Sequence, residues 1–109
     1  MKLSKPINND WAKVLFILNE NFIGGCNMTK VLTKYEPTFW KFQARLCELI
    51  EQYPNLKIQK TPVPFKSKLT GKSGYTTFYT PLCTPTYLKT VYDLVNKYGL
   101  KGEEKIVKA

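Results

Sequence analysis

Glycine and proline cut this chain into short pieces, and the pieces between the cuts admit few folds. Gly24-Gly25, Glu36-Pro37-Thr38, Tyr53-Pro54-Asn55, Ser67–Gly74, Thr84-Pro85 and Gly99 are each a stop or turn signal. What lies between them reads helix, helix, helix, hairpin, helix. The class expected is α+β, mainly α: one domain over residues 8–99, with loose ends at 1–7 and 100–109.

The first helix is predicted over Asp10–Phe22, where Trp11, Val14, Leu15, Leu18 and Phe22 share a face and Asn8, Asn9 or Asp10 can cap. Asn27 caps a short second helix, Met28–Tyr35. The third is predicted over Pro37–Gln52, since proline suits a first helical turn. Phe39, Phe42, Leu46, Leu49 and Ile50 then lie within about 100° of arc, with Lys41, Ala44, Arg45 and Glu48 opposite. Leu56–Phe65 and Tyr75–Leu82 have strand composition on either side of a polar turn. Pro62 and Pro64 lack N–H donors and are expected to interrupt the first strand or confine it to an edge. The fourth helix, Pro85–Tyr98, carries Leu88, Val91, Tyr92 and Val95 on one face, widened by Tyr87, Leu94 and Tyr98. So wide a face asks either for docking on the first helix or for a homodimer through residues 85–98.

Several function classes drop out on composition. The chain has no histidine, which removes the commonest general base and nearly every catalytic zinc site. Its three cysteines, Cys26, Cys47 and Cys83, are far apart and form no C-x-x-C pair, so they read as three small apolar core residues in a reducing cytoplasm. Thr70-Gly71-Lys72-Ser73 lacks the upstream glycine and following helix of a phosphate loop. The eight acids are scattered, so no catalytic constellation, cofactor or metal site is expected. The longest apolar run, Val14–Leu18, is far too short to span a bilayer, and the opening MKLSKPINND has no secretory apolar core.

Charge points to the partner. Lysine and arginine number 17 against 8 acids, a net charge of +9. From Gln52 to Tyr92 there is no acid at all, while Lys57, Lys60, Lys66, Lys68, Lys72 and Lys89 fall there. Such a run suits a polyanion, and lysines on a loop suit phosphate, which needs no fixed geometry. On the third helix, Thr38 is placed to meet a phosphate at the N-terminus. Lys41 and Arg45 are placed to face a groove, with Arg45 able to bond guanine bidentately. Gln43 falls at the core edge and ranks lower.

The helix order with a basic hairpin matches a winged helix-turn-helix. Ala44-Arg45-Leu46-Cys47-Glu48-Leu49, followed by Ile58, Gly71-Lys72 and Tyr79, resembles the small winged helix-turn-helix proteins of bacteriophages and bacterial mobile elements. The likeness covers Val14–Leu82. It implies a double-stranded DNA-binding protein, a transcriptional or mobile-element regulator. Helix 37–52 would lie in the major groove and hairpin 56–82 on the backbone. The residues implicated are Thr38, Lys41, Arg45, Lys60, Lys66, Lys68 and Lys72.

Plainer readings stand beside these. Glu48 is positioned to hold Arg45 in a surface ion pair. The hairpin lysines would also protect an open strand edge. Most aromatics fall at helical core positions and not on a stacking platform, with Tyr75, Phe78 and Tyr79 left open. The alternative functions are a protein-interaction module on the same scaffold and a single-strand or RNA binder.

Overall fold

A computed structural model of the chain describes Ile7 and residues 9–100. The fold is α+β, four helices and one antiparallel hairpin: α1 (Asp10–Glu20), α2 (Met28–Lys30), α3 (Phe42–Gln52), β1 (Ile58–Lys66), β2 (Ser73–Pro81) and α4 (Pro85–Tyr98). Helix α1 is the hub, packed by α3 on one side and α4 on another, with the root of β2 closing the core.

The Asn9 side chain accepts the Ala12 N–H (2.7 Å) to start α1, and its amide donates to the Val95 carbonyl (2.9 Å), tying α1 to α4. Ala12, Val14, Leu15, Ile17 and Leu18 are all buried. After Glu20 the chain turns; Asn21, itself buried, bonds back to the Ile17 carbonyl and across to the Tyr35 hydroxyl. Gly25 then passes so close to β2 that a Cβ would stand 2.9 Å from the Tyr79 carbonyl oxygen, at a φ of +74°. Only glycine allows both. That approach lets Cys26 form a one-residue bridge to Tyr79, with N–H to carbonyl distances of 3.1 and 2.7 Å.

Helix α2 is a single α-turn capped by Asn27 that widens into a π-helical turn, Val31–Tyr35. The third helix begins at Phe42, five residues later than the sequence predicts. The Glu36 N–H closes the π-turn on Val31, and the Phe39 and Trp40 N–H groups bond to Glu36 and Thr38 in a tight irregular turn. An ion pair from Lys13 to Glu36 (3.2 Å) clamps that turn to α1. Phe39 is therefore core from a turn position, its ring edge-on to Phe42 at 6.0 Å.

The interruption expected at Pro62 and Pro64 does not occur: β1 runs unbroken for nine residues. Register explains it. Tyr79 spends its N–H and carbonyl on Cys26, so Lys60–Tyr79 is a non-hydrogen-bonded pair of the hairpin, and so are Pro62–Thr77 and Pro64–Tyr75 by alternation. Neither proline is asked for a donor.

Helix α4 starts with the Thr84 hydroxyl accepting the Tyr87 N–H (3.1 Å) and with proline at its first position, and it ends where the Gly99 N–H meets the Val95 carbonyl. Leu88, Val91, Tyr92 and Val95 are buried against the body. The stripe that a homodimer through 85–98 would use is thus covered within the chain. Of the ends expected to be loose, Ile7 and Leu100 pack on the core; residues 1–6 and 101–109, and the capping candidate Asn8, lie outside the described residues.

Candidate nucleic-acid interface

Among the described residues, the hairpin and the residue before it carry five lysines that form no salt bridge. Side chains alternate across its two faces. Ile58, Tyr79 and Pro81 share the face that enters the core, and outward on that same face come Lys60, Pro62, Pro64 and Lys66, opposite Tyr75 and Thr77. At its root this face meets α3: the Tyr79 ring lies 5.8 Å from Phe42, and the Tyr79 hydroxyl hydrogen-bonds the Gln43 side chain. Burial pushes the Tyr79 hydroxyl pKa upward, and the Gln43 bond partly offsets it. Lys60 and Lys66 therefore project on the side of the sheet that carries α3. Lys68 and Lys72 flank the turn at the tip, where Gly71 adopts a φ of +71°. Lys57, Lys60, Lys66, Lys68 and Lys72 are all exposed, and among the described residues none of them forms a salt bridge.

The third helix departs from expectation. Its buried line is Phe42, Leu46 and Leu49, so its outward side carries Gln43, Ala44, Cys47 and Glu51, all exposed. Arg45 lies on the flank toward α1, not on the outward arc. Its guanidinium bonds the Glu48 carboxylate, approaches Asp10 (3.9 Å) and lies over the Trp11 ring, 5.6 Å from the centroid. The Trp11 indole N–H donates to the same Glu48 carboxylate (3.1 Å), and these two bonds, Arg45's first, hold the Glu48 carboxyl below its ordinary range. With its side chain 25% exposed and three partners in place, Arg45 is part of the α1–α3 seam. Of the two readings of Arg45, the ion pair with Glu48 is the one this geometry shows.

Thr38 is also displaced from its expected role. The helix does not start at Pro37, so Thr38 has no helix N-terminus to share with an anion; it is an exposed turn residue whose carbonyl accepts the Trp40 N–H (2.9 Å). Lys41 holds the position just before α3, exposed, its carbonyl accepting the Arg45 N–H. Trp40 beside it is 70% exposed. Trp40, which the sequence leaves outside the core stripe to stack on sugar or pack on the second helix, is open to solvent, and Cys47, expected as a core residue, is exposed on α3 beside Gln43. A helical wheel centred on Phe42, Leu46 and Leu49 alone turns Ala44, Cys47 and Glu51 outward, whereas Trp40 belongs to the turn before α3.

Among the described residues no group of three or more histidines, cysteines or acids is placed to hold a metal. No helix among them is long and apolar enough to cross a membrane. No protein-family model matches the chain, and no curated protein or solved structure matches it.

Proposed function

We propose that this chain is a double-stranded DNA-binding domain of winged helix-turn-helix type, anchored chiefly by its hairpin and serving a regulatory or architectural role. The observation that carries the reading is the set of exposed, unpaired lysines on a hairpin with no acid from Gln52 to Tyr92. The Cys26–Tyr79 bridge supports it, because it ties the segment between the first and second helices to the root of the hairpin. Lys60, Lys66, Lys68 and Lys72 take phosphates, with Lys41 and the Thr38 hydroxyl adding contacts from the turn before α3.

The N-terminal half of α3 then enters the major groove, as recognition helices do. Ala44 and Cys47 are small enough to allow close approach, and alanine can touch a thymine methyl. Glu51 repels phosphate and limits how far along the helix the contact extends. With Arg45 withdrawn, no guanidinium remains on α3 to grip guanine. Affinity is therefore weighted toward the backbone, and base selectivity is modest.

Gel retardation of an arbitrary duplex tests this. The protein retards it at micromolar concentration in low salt, and phosphates neutralised by the four hairpin lysines and Lys41 give a log–log salt slope of about −4.5. Absence of retardation under those conditions overturns the reading and leaves the interaction module.

A further inference from the structure

Of the large apolar side chains left open to solvent among the described residues, three are on the outer half of the hairpin: Phe65, Leu69 and Tyr75. Leu69 is the extreme case, 97% exposed at the tip between Lys68 and Lys72. A single exposed leucine on a surface needs no explanation. This one is presented on an ordered loop. The Ser67 Oγ accepts the Leu69 and Thr70 N–H groups (3.2 and 3.3 Å), the Thr70 Oγ1 accepts the Lys72 N–H (3.3 Å), and the Gly71 N–H bonds to the Ser67 carbonyl (2.9 Å). The stalk beneath is stiffened too: Pro62 and Pro64 fix φ within β1, and the Phe65 ring covers Gly74, where a Cβ would come within 3.1 Å of it.

We infer that Leu69 is a wedge: on duplex DNA the hairpin tip enters the minor groove and Leu69 inserts between two base pairs, unstacking one step and kinking the helix. The inference rests on the DNA-binding reading above. Three features fit such an insertion: an apolar tip, a cationic collar to hold the phosphates on either side, and a backbone ordered before contact, so that little conformational freedom is lost on binding. Reach agrees as well. From the Lys60–Tyr79 pair to the Lys66–Ser73 pair is six residue steps, about 20 Å at ~3.3 Å each. With α3 in a major groove, the neighbouring minor groove is half a turn away, about 17 Å. The collar of Lys66, Lys68 and Lys72 has no acid beside it, so the tip is complementary to the groove's phosphates on both strands.

The test uses the full chain, a duplex labelled at both ends for energy transfer, and a second duplex containing 2-aminopurine. The wild-type protein brings the ends closer and raises 2-aminopurine fluorescence as a step unstacks. Leu69→Ser, whose side chain lies in solvent and leaves the fold intact, loses both signals. It binds severalfold more weakly with an unchanged salt slope, and Leu69→Met restores both. If L69S bends and unstacks the duplex as the wild type does, the wedge is wrong while the DNA reading survives. If the wild type fails to bind duplex in low salt, the DNA reading itself is wrong. Leu69-dependent binding to vesicles containing phosphatidylserine, with no change in 2-aminopurine, overturns the wedge in favour of a membrane surface.

Discussion

Along the α1–α3 seam, cations have partners. Lys13 pairs with Glu36 and Asp10 and lies over the Phe39 ring, and Arg45 is shared among Glu48, Asp10 and Trp11. Along the hairpin and at its entry, Lys57, Lys60, Lys66, Lys68 and Lys72 face solvent, and among the described residues none of them forms a salt bridge. The difference lies in where the acids fall. Asp10, Glu36 and Glu48 line the seam, while the stretch from Gln52 to Tyr92 holds no acid. The net charge of +9 is therefore not an even coat. At the seam the charges hold two helices in register, whereas the hairpin lysines face outward, where they can neutralise a polyanion.

The sharpest way to separate the two regions is to damage one and leave the other. Phe42→Ala removes the ring that Phe39 and Tyr79 both pack on, joining helix, turn and hairpin root. It is expected to cost about 3–5 kcal/mol of stability, measured by urea unfolding. Lys66→Ala, Lys68→Ala and Lys72→Ala combined leave that midpoint in place. They lower duplex affinity roughly a hundredfold at ~0.1 M salt and reduce the salt slope by about 2.7. If the triple variant binds as before, the hairpin is not the anchor. If it also unfolds early, the hairpin charges are structural and the contrast between the regions fails.

Arg45 tests the comparison from the other side. Arg45→Ala removes a half-buried ion pair, a weaker contact to Asp10 and a cation–π contact, so it lowers stability by about 1 kcal/mol. Duplex affinity and base preference stay within twofold of wild type. A tenfold loss of affinity with unchanged stability would instead return Arg45 to the DNA surface. Acid sharpens the same point: Glu48 is held below its ordinary range, so the stability it contributes is present above the unfolded carboxylate value and is lost as pH falls through the lower folded value. In R45A the folded value lies closer to the unfolded one, so the acid-dependent loss is smaller and is complete at a higher pH.

Element order, the hairpin's turn and the caps at Asn27 and Thr84 were legible because each depends on a local signal, while the sequence narrows the first cap to Asn8, Asn9 or Asp10, of which Asn9 caps α1. The acid-free hairpin was legible from composition alone. The face of α3 was not, and the reason is angular. Counting Phe39 and Ile50 with Phe42, Leu46 and Leu49 turns the inferred inner face by roughly 30°, enough to bring Lys41, Arg45 and Glu48 to the outside. Phe39 belongs to a turn, and Ile50 is only half-buried. The turn is fixed by a distant ion pair, Lys13 to Glu36, that no local pattern announces. The prolines of β1 misled for a similar reason. Whether a missing N–H matters depends on register, and register is set here by the tip turn that the Ser67 N–H closes on the Lys72 carbonyl, several residues beyond either proline.

Cys26 and Cys47 give the least perturbing probe of the two regions, since neither need be mutated to be read. Cys47 is exposed on the outward side of α3, whereas Cys26 is buried beneath the hairpin root, and burial pushes its thiol up to about 11. Against a thiol reagent at neutral pH, Cys47 is expected to react at once and Cys26 only as fast as the bridge to Tyr79 opens. Bound duplex then slows Cys47 if α3 lies in the groove, while the Cys26 rate falls only if contact at the hairpin also stabilises its root. Raising the pH checks the burial independently. Between about 9 and 11 the unfolded chain releases a thiol proton that the folded chain keeps, so stability falls with rising pH across that window, more steeply in the wild type than in Cys26→Ala. Equal slopes in the two proteins would mean that Cys26 is not sealed, and that the hairpin root is as open as its tip.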